Sequence, residues 1–198
     1  HLSISGNLAF AKDGSLYYAD AFNHRIRKIS PDGIITTVAG SSKNYNDYGN
    51  SGDGGPAIDA KMCEIRGFAM GHDGSLYISD YRNQRVRKVT PDGIINTIAG
   101  NGIAGSTGDG GLAINARIEY PSGITVGDDG TVYFCESGGK VRAISTDGYI
   151  KTVVGGGNTA WLENGPATAA KIGPEDIEFG PDGNLYVTSF GTVRKIDT

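Results

Sequence analysis

Asp73-Gly74-Ser75-Leu76-Tyr77-Ile78-Ser79-Asp80 is the stretch that decides the fold, because the chain writes its opening four times. Asp13-Gly14-Ser15-Leu16-Tyr17, Asp129-Gly130-Thr131-Val132-Tyr133 and Asp182-Gly183-Asn184-Leu185-Tyr186 are the other copies, at intervals of 60, 56 and 53 residues. Asp-Gly marks a tight turn, in which glycine accepts a positive φ at no steric cost. The apolar and aromatic run behind it has the composition of a strand. Strand-rich units at this period indicate a stacked or radial β architecture, each unit burying its faces against its neighbours.

Working outward from the second copy, residues 67–70 form a first strand before the turn and Leu76–Asp80 a second. A polar loop, 81–84, leads to Arg85–Val89, and Pro91-Asp92-Gly93 turns the chain into the β-branched Ile94–Ala99. Four antiparallel strands per unit follow. The first unit repeats this through Leu16–Asp20, Arg25–Ile29 and 34–39, the third through Val132–Glu136, Lys140–Ile144 and 150–154. Units fall at approximately 5–64, 65–120, 121–173 and 174–198 in a single domain, and the fourth stops after Thr192–Ile196 without its last strand.

The connectors repeat as well. Gly52-Asp53-Gly54-Gly55-Pro56-Ala57 matches Gly108-Asp109-Gly110-Gly111-Leu112-Ala113 and, more loosely, Glu163-Asn164-Gly165-Pro166-Ala167. Each is expected to end in a short helical or 3₁₀ turn that tucks Met62, Ile118 or Ile172 under the next unit. Asn23-His24-Arg25-Ile26, the copied unit and the Gly-Asp-Gly-Gly-Pro-Ala connector resemble the NHL-repeat family of β-propellers in its long-linker form. The resemblance covers essentially the whole chain. It implies an all-β fold of four-stranded antiparallel blades around a channel, six blades being common, of which about three and a half are present here. A partial ring leaves exposed edges. Further blades from a longer chain, closure by a second copy, and a strand supplied by another segment are the three ways to cover them; a break inside a blade and a start at His1 favour the first.

Composition fits this reading and excludes others. The 32 glycines in 198 residues sit at repeat-fixed turns, and a net charge of −4 gives no overall attraction to nucleic acid or an anionic membrane. Two cysteines, Cys63 and Cys135, are expected to be free thiols. No apolar run reaches the 18 residues or so of a membrane-spanning helix.

In such a blade the Asp-Gly and Pro-Asp-Gly turns share one face, and the strand two–three loops share the other with the connectors. That second face carries Phe22, His24, Tyr45, Tyr48, Tyr81, Arg82 and Trp161, which makes it the candidate ligand-binding surface. The acids ending strand two (Asp20, Asp80, Glu136) stand opposite the bases opening strand three (Arg25, Arg85, Lys140). A ring of carboxylates around the channel is one reading; an ion-pair clamp on each loop is the one favoured. Asp53 and Asp109 are weak candidates for calcium, since one carboxylate per loop is far from the six to eight oxygens that calcium takes, and a turn whose Asp caps backbone amides accounts for them equally.

For catalysis the inventory is poor. His1, His24 and His72 are the only histidines, and no metal-protease, Cys–His or nucleophile-elbow motif occurs. The cations of strand three (Arg25, Arg27, Lys28, Arg85, Arg87, Lys88, Arg142, Arg194, Lys195) follow the repeat and read as solvated or salt-bridged, with no interleaved aromatic platform for single-stranded RNA. The expectation is a non-catalytic interaction or scaffold module that binds a protein or glycan, with no cofactor and calcium as a lesser option. The resemblance suggests extracellular or cell-surface display and leaves the cytoplasm open. Two alternatives stand beside it: a propeller lyase or lactonase with a channel metal, and an RNA-binding NHL domain.

Overall fold

The computed structural model describes residues 4–42, 46–158 and 165–196. Its strands form four small antiparallel sheets, each one repeat unit. The first sheet contains β1 (Ile4–Phe10), β2 (Leu16–Asp20), β3 (Arg25–Ile29) and β4 (Ile35–Ala39). The next strand in the chain, β5 (Gly55–Pro56), belongs to the second sheet with β6 (Ile65–Met70), β7 (Leu76–Asp80), β8 (Arg85–Val89) and β9 (Ile94–Ala99). The third sheet is β10 (Pro121–Val126), β11 (Val132–Glu136), β12 (Lys140–Ile144) and β13 (Ile150–Gly155). The fourth has three strands, β14 (Pro174–Phe179), β15 (Leu185–Ser189) and β16 (Thr192–Ile196).

One sheet departs from the four-strand expectation. Gly55 and Pro56 of the first connector pair with Ile95 and Ile94, adding a fifth strand outside β9. The second connector makes the same contact as a single bridge, Leu112 with Tyr149. Backbone groups crossing the rim of a sheet need partners, and the edge of the following blade supplies them. These two connectors are thereby stitched onto the blades they lead to.

The sheets stand as blades of a propeller, with β1, β6, β10 and β14 as successive neighbours along the inside. The crowding there explains two glycines. A Cβ on Gly67 would lie 2.4 Å from the Ser122 carbonyl oxygen, and one on Gly123 would lie 2.5 Å from Asp176 Cα. Between the blades lie three apolar cores, and the connector residue expected under each blade is in them: Met62 beside Ile26 and Phe68, Ile118 beside Val86 and Phe134, Ile172 beside Val141 and Val187. The 3₁₀ turns that deliver them are Ala57–Asp59, Ala113–Asn115 and Ala167–Ala169. Both cysteines are buried free thiols.

Candidate functional site

The strand two–three loop is built the same way in the first two blades. After Asp20 or Asp80 the chain makes one 3₁₀ turn, and the turn's asparagine folds back: Asn23 Nδ2 donates to Asp20 Oδ1 at 2.8 Å and Asn83 Nδ2 to Asp80 at 2.9 Å. His24 and Gln84 then adopt the left-handed region, φ 54° and 53°. That conformation aims both side chains at the following blade. His24 Nδ1 accepts the Glu64 N–H at 2.9 Å, and Gln84 Oε1 accepts the Tyr120 N–H at 2.6 Å. Glu64 and Tyr120 themselves have positive φ, 58° and 46°, at the entry to the inner strand. His24 is a buried latch between blades.

Beside the latch lies a cavity of about 450 Å³ lined by His24, Asn46, Tyr48, Cys63, Glu64, Arg82 and Asn83. The Tyr48 ring meets the His24 ring edge-on at 6.0 Å and remains largely exposed. Glu64 accepts from both Arg66 and Arg82. Burial works against its charge, but the two guanidinium groups hold the carboxyl below the usual range. Burial pushes the Cys63 thiol up, and the Asp80 carboxylate adds to the effect. A ridge adjoins the cavity through Glu64: the Arg66 guanidinium lies 4.6 Å from the Tyr81 ring centre, and Tyr81 meets Tyr120 at 5.1 Å. This face offers aromatic rings and guanidinium groups held in place by one carboxylate, an arrangement suited to binding.

Beneath that face the charges pair differently from the expected loop clamp. Only Asp20 pairs with the base opening strand three, Arg25 at 3.6 Å. Asp80 and Glu136 instead meet the arginine two residues further on, Arg87 at 3.5 Å and Arg142 at 3.2 Å. Residues two apart in a strand share a face, and this second arginine points into the blade interface. Both are fully buried rather than solvated, and each takes a second carboxylate from the connector: Asp53 Oδ1 at 2.9 Å from Arg87, Asp109 Oδ1 at 2.7 Å from Arg142. The weak calcium candidates are thus arginine partners, and Asp109 also accepts the Thr152 hydroxyl at 2.7 Å. Burial pushes Asp80 up to about 6 against the pull of Asn83, the Cys63 N–H and Arg87, and raises Glu136 in the same direction. Among the described residues no three His, Cys, Asp or Glu side chains gather as a metal site would require.

The structure therefore brings His24, Tyr48 and Arg82 to one cavity and sets Tyr81 on the adjoining ridge. Phe22 is exposed on the first blade's loop and does not line that cavity. Tyr45 and Trp161 lie outside the described residues. Glu64, Arg66 and Tyr120 were not apparent as site residues. Their only sequence signal is their place just before or within an inner strand, and the positive φ that projects Glu64 and Tyr120 has no glycine to announce it.

Residues 39–107 and 103–170 match the teneurin NHL domain, more than half of the chain. The chain belongs to that NHL family. It is 28% identical to Teneurin-m of Drosophila melanogaster over 92% of its length, while covering 7% of that protein. Residues 167–190 also match the N-terminal part of strictosidine synthase-like proteins. Among solved structures, a Bacteroides thetaiotaomicron protein of unknown function superposes with a TM-score of 0.73 at 24% identity, covering 97% of this chain and 46% of that one. A streptogramin B lyase superposes at 0.58 and 18% identity, covering 96% and 53%. At these identities the structural likenesses establish the propeller fold alone. The chain spans about half of those propellers and a small part of the teneurin.

Proposed function

We propose that this chain is part of a non-catalytic NHL propeller that binds a protein or glycan on its loop face. The observation carrying this reading is the exposed Tyr48 beside Arg82 at a cavity of about 450 Å³, continued by the Arg66–Tyr81–Tyr120 ridge. Tyrosine and arginine dominate the anchors of interfaces, because they bury large areas with few rotatable bonds or bind acceptors in a fixed fork. Display outside the cell or on its surface is proposed with it, on the resemblance to long-linker relatives. The RNA alternative loses support from Arg87 and Arg142, whose guanidinium groups are buried in ion pairs and unavailable to phosphate. The lyase or lactonase alternative has no ligand set behind it among the described residues.

Further blades on both sides belong to the same proposal. Leu8 is 57% exposed, whereas its register equivalents Phe68, Ile124 and Ile177 are at most 2%. At the other end Val193 is 69% exposed, whereas Ile26, Val86 and Val141 are fully buried by the blade that follows each. Positions the repeat normally covers are open at the two ends of the arc.

The binding reading is tested by displaying the protein multivalently on beads and probing a glycan array and a panel of cell-surface ectodomains. Tyr48→Ala and Arg82→Ala are expected to lower any selective signal by tenfold or so each, as single hot-spot losses do. Binding that survives both changes unaltered would sink the assignment to this face.

A further inference from the structure

On the Asp-Gly turn side the third blade breaks a rule that the other three keep. In the first, second and fourth blades the tyrosine of strand two stands across the ladder from a lysine of strand three: Tyr17 from Lys28, Tyr77 from Lys88, Tyr186 from Lys195. Each lysine reaches the aspartate of its own turn, Nζ to Oδ2 at 3.1 Å for Asp13, 3.2 Å for Asp73 and 3.2 Å for Asp182. In the first two blades the ammonium also lies over the tyrosine, 5.6 and 5.1 Å from the ring centre. An aspartate and a tyrosine thus hold a primary ammonium in blade after blade. The third blade keeps Asp129 and Tyr133 but sets Ala143 opposite the tyrosine.

Asp129 is built like its counterparts. Its Oδ1 accepts the Thr131 N–H at 2.9 Å and its Oδ2 the Thr131 hydroxyl at 2.8 Å, as Asp73 accepts both from Ser75. Those bonds hold the carboxyl below its usual range, so it is ionised at neutral pH. Lys151 stands beside Ala143 in the next strand, but among the described residues no ion pair joins it to Asp129, and its charge acts on the carboxylate through space. The ring next to the turn changes as well. A Cβ on Gly71 or Gly180 would press on Tyr77 or Tyr186 of the same blade, whereas one on Gly127 would meet Phe179 of the next blade at 3.5 Å. Phe179 and Tyr133 meet edge-on at 5.4 Å, and with Asp129 they line a cavity of about 970 Å³. Asp128, Asp176 and Glu178 line it too, and His72, its one basic residue among those described, is bound to Asp128 at 2.8 Å.

We propose that this cavity binds a primary alkylammonium group, such as a lysine side chain, in the place that the other blades fill with their own lysine. The ammonium donates to Asp129 Oδ2, and its alkyl stem lies along the Tyr133 and Phe179 rings. The carboxylates of Asp176 and Glu178 add a negative field that draws a cation in. The site lies on the Asp-Gly turn side, away from the loop-face cavity at Tyr48 and Arg82, and stands independently of that reading.

Nα-acetyl-lysine N-methylamide is titrated into the nitrogen-15-labelled 198-residue protein at neutral pH, and amide chemical shifts report both affinity and location. Saturable shifts with a millimolar Kd are expected around Asp129, Tyr133 and Phe179, and the uncharged Nε-acetylated probe should not bind. Asp129→Asn, which keeps an acceptor for the Thr131 N–H, should weaken binding by about tenfold. Ala143→Lys should abolish it, because the new side chain fills the site from within as Lys88 does. Lys151→Gln should not weaken it. Absence of saturable shifts in the native protein, which would leave Asp129 to Lys151, overturns the proposal. So does equal binding of the Nε-acetylated probe, or undiminished binding by the Asp129→Asn protein. n-Butylamine binding as tightly as the lysine probe assigns the site to a free amine; tighter binding of a lysine flanked by two glycines on each side assigns it to a protein's lysine. Tyr48→Ala and Arg82→Ala leave these titrations unchanged, so failure of the loop-face reading and failure of this one are read separately.

Discussion

Arg87 and Arg142 put a permanent charge where no water reaches it, and each is held by one acid from its own blade and one from the connector. A buried charge left without partners is expensive. Arg87→Ala removes the cation and strands Asp80, so a loss of about 3–5 kcal/mol is expected, read as a fall in the urea midpoint. Asp80 also sets a pH dependence. Its folded pKa, about 6, lies above the ordinary 3.8, so the native state binds the proton more tightly than the unfolded chain does. That contribution is fully present below pH 4 and is lost as pH rises through 6. Asp80→Asn should flatten the stability profile across that window, measured by denaturant titration at a series of pH values. The sequence displayed the acid and both candidate bases of each clamp but not the choice between them. The base directly across the hairpin looked closest, whereas the arginine two residues on, on the same face of the strand, is the one that is fully buried beside the acid.

At the scale of elements, the inter-blade latch makes a sharp contrast between substitutions. His24 and Gln84 do the same work with different chemistry, each accepting one N–H from the next blade. His24→Gln should therefore stay within about 1 kcal/mol of the native protein, while His24→Ala leaves the Glu64 N–H without its acceptor and costs about 1–3 kcal/mol. Thermal unfolding of both variants checks this. Strand positions were legible because an Asp-Gly turn precedes the second strand in every copy and a second Asp-Gly turn follows the third strand in the first three. The added strand at Gly55–Pro56 was not, since a glycine and a proline carry no strand signal and pair here through backbone groups alone. The same limit hid Glu64 and Tyr120, whose importance comes from backbone direction rather than residue type.

The whole molecule is an arc of blades whose two ends expose what the interior repeats hide. Val193→Glu is expected to change the stability of this chain by less than about 0.5 kcal/mol, whereas Val141→Glu, which buries a charge between blades, should unfold it. In a longer protein carrying the next blade, Val193→Glu becomes as damaging as Val141→Glu, and the comparison of denaturation midpoints measures whether that side is covered. The arc itself was readable from the fourfold repeat and its shortened last copy. The loop-face site was only partly so: its tyrosines and arginine were visible, but which of them converge depends on how neighbouring blades dock.

Stitching the first two connectors onto the blades that follow them also sets how the molecule yields to tension. A pull along the chain between the first two blades must break the Gly55–Pro56 pairing with β9 and draw Asp53 off Arg87 before any ladder inside a blade is loaded. Stretched from its ends, the protein should release blades singly, in steps of one repeat's contour length, and lengthen by stages where an unstitched chain of sheets would part at once.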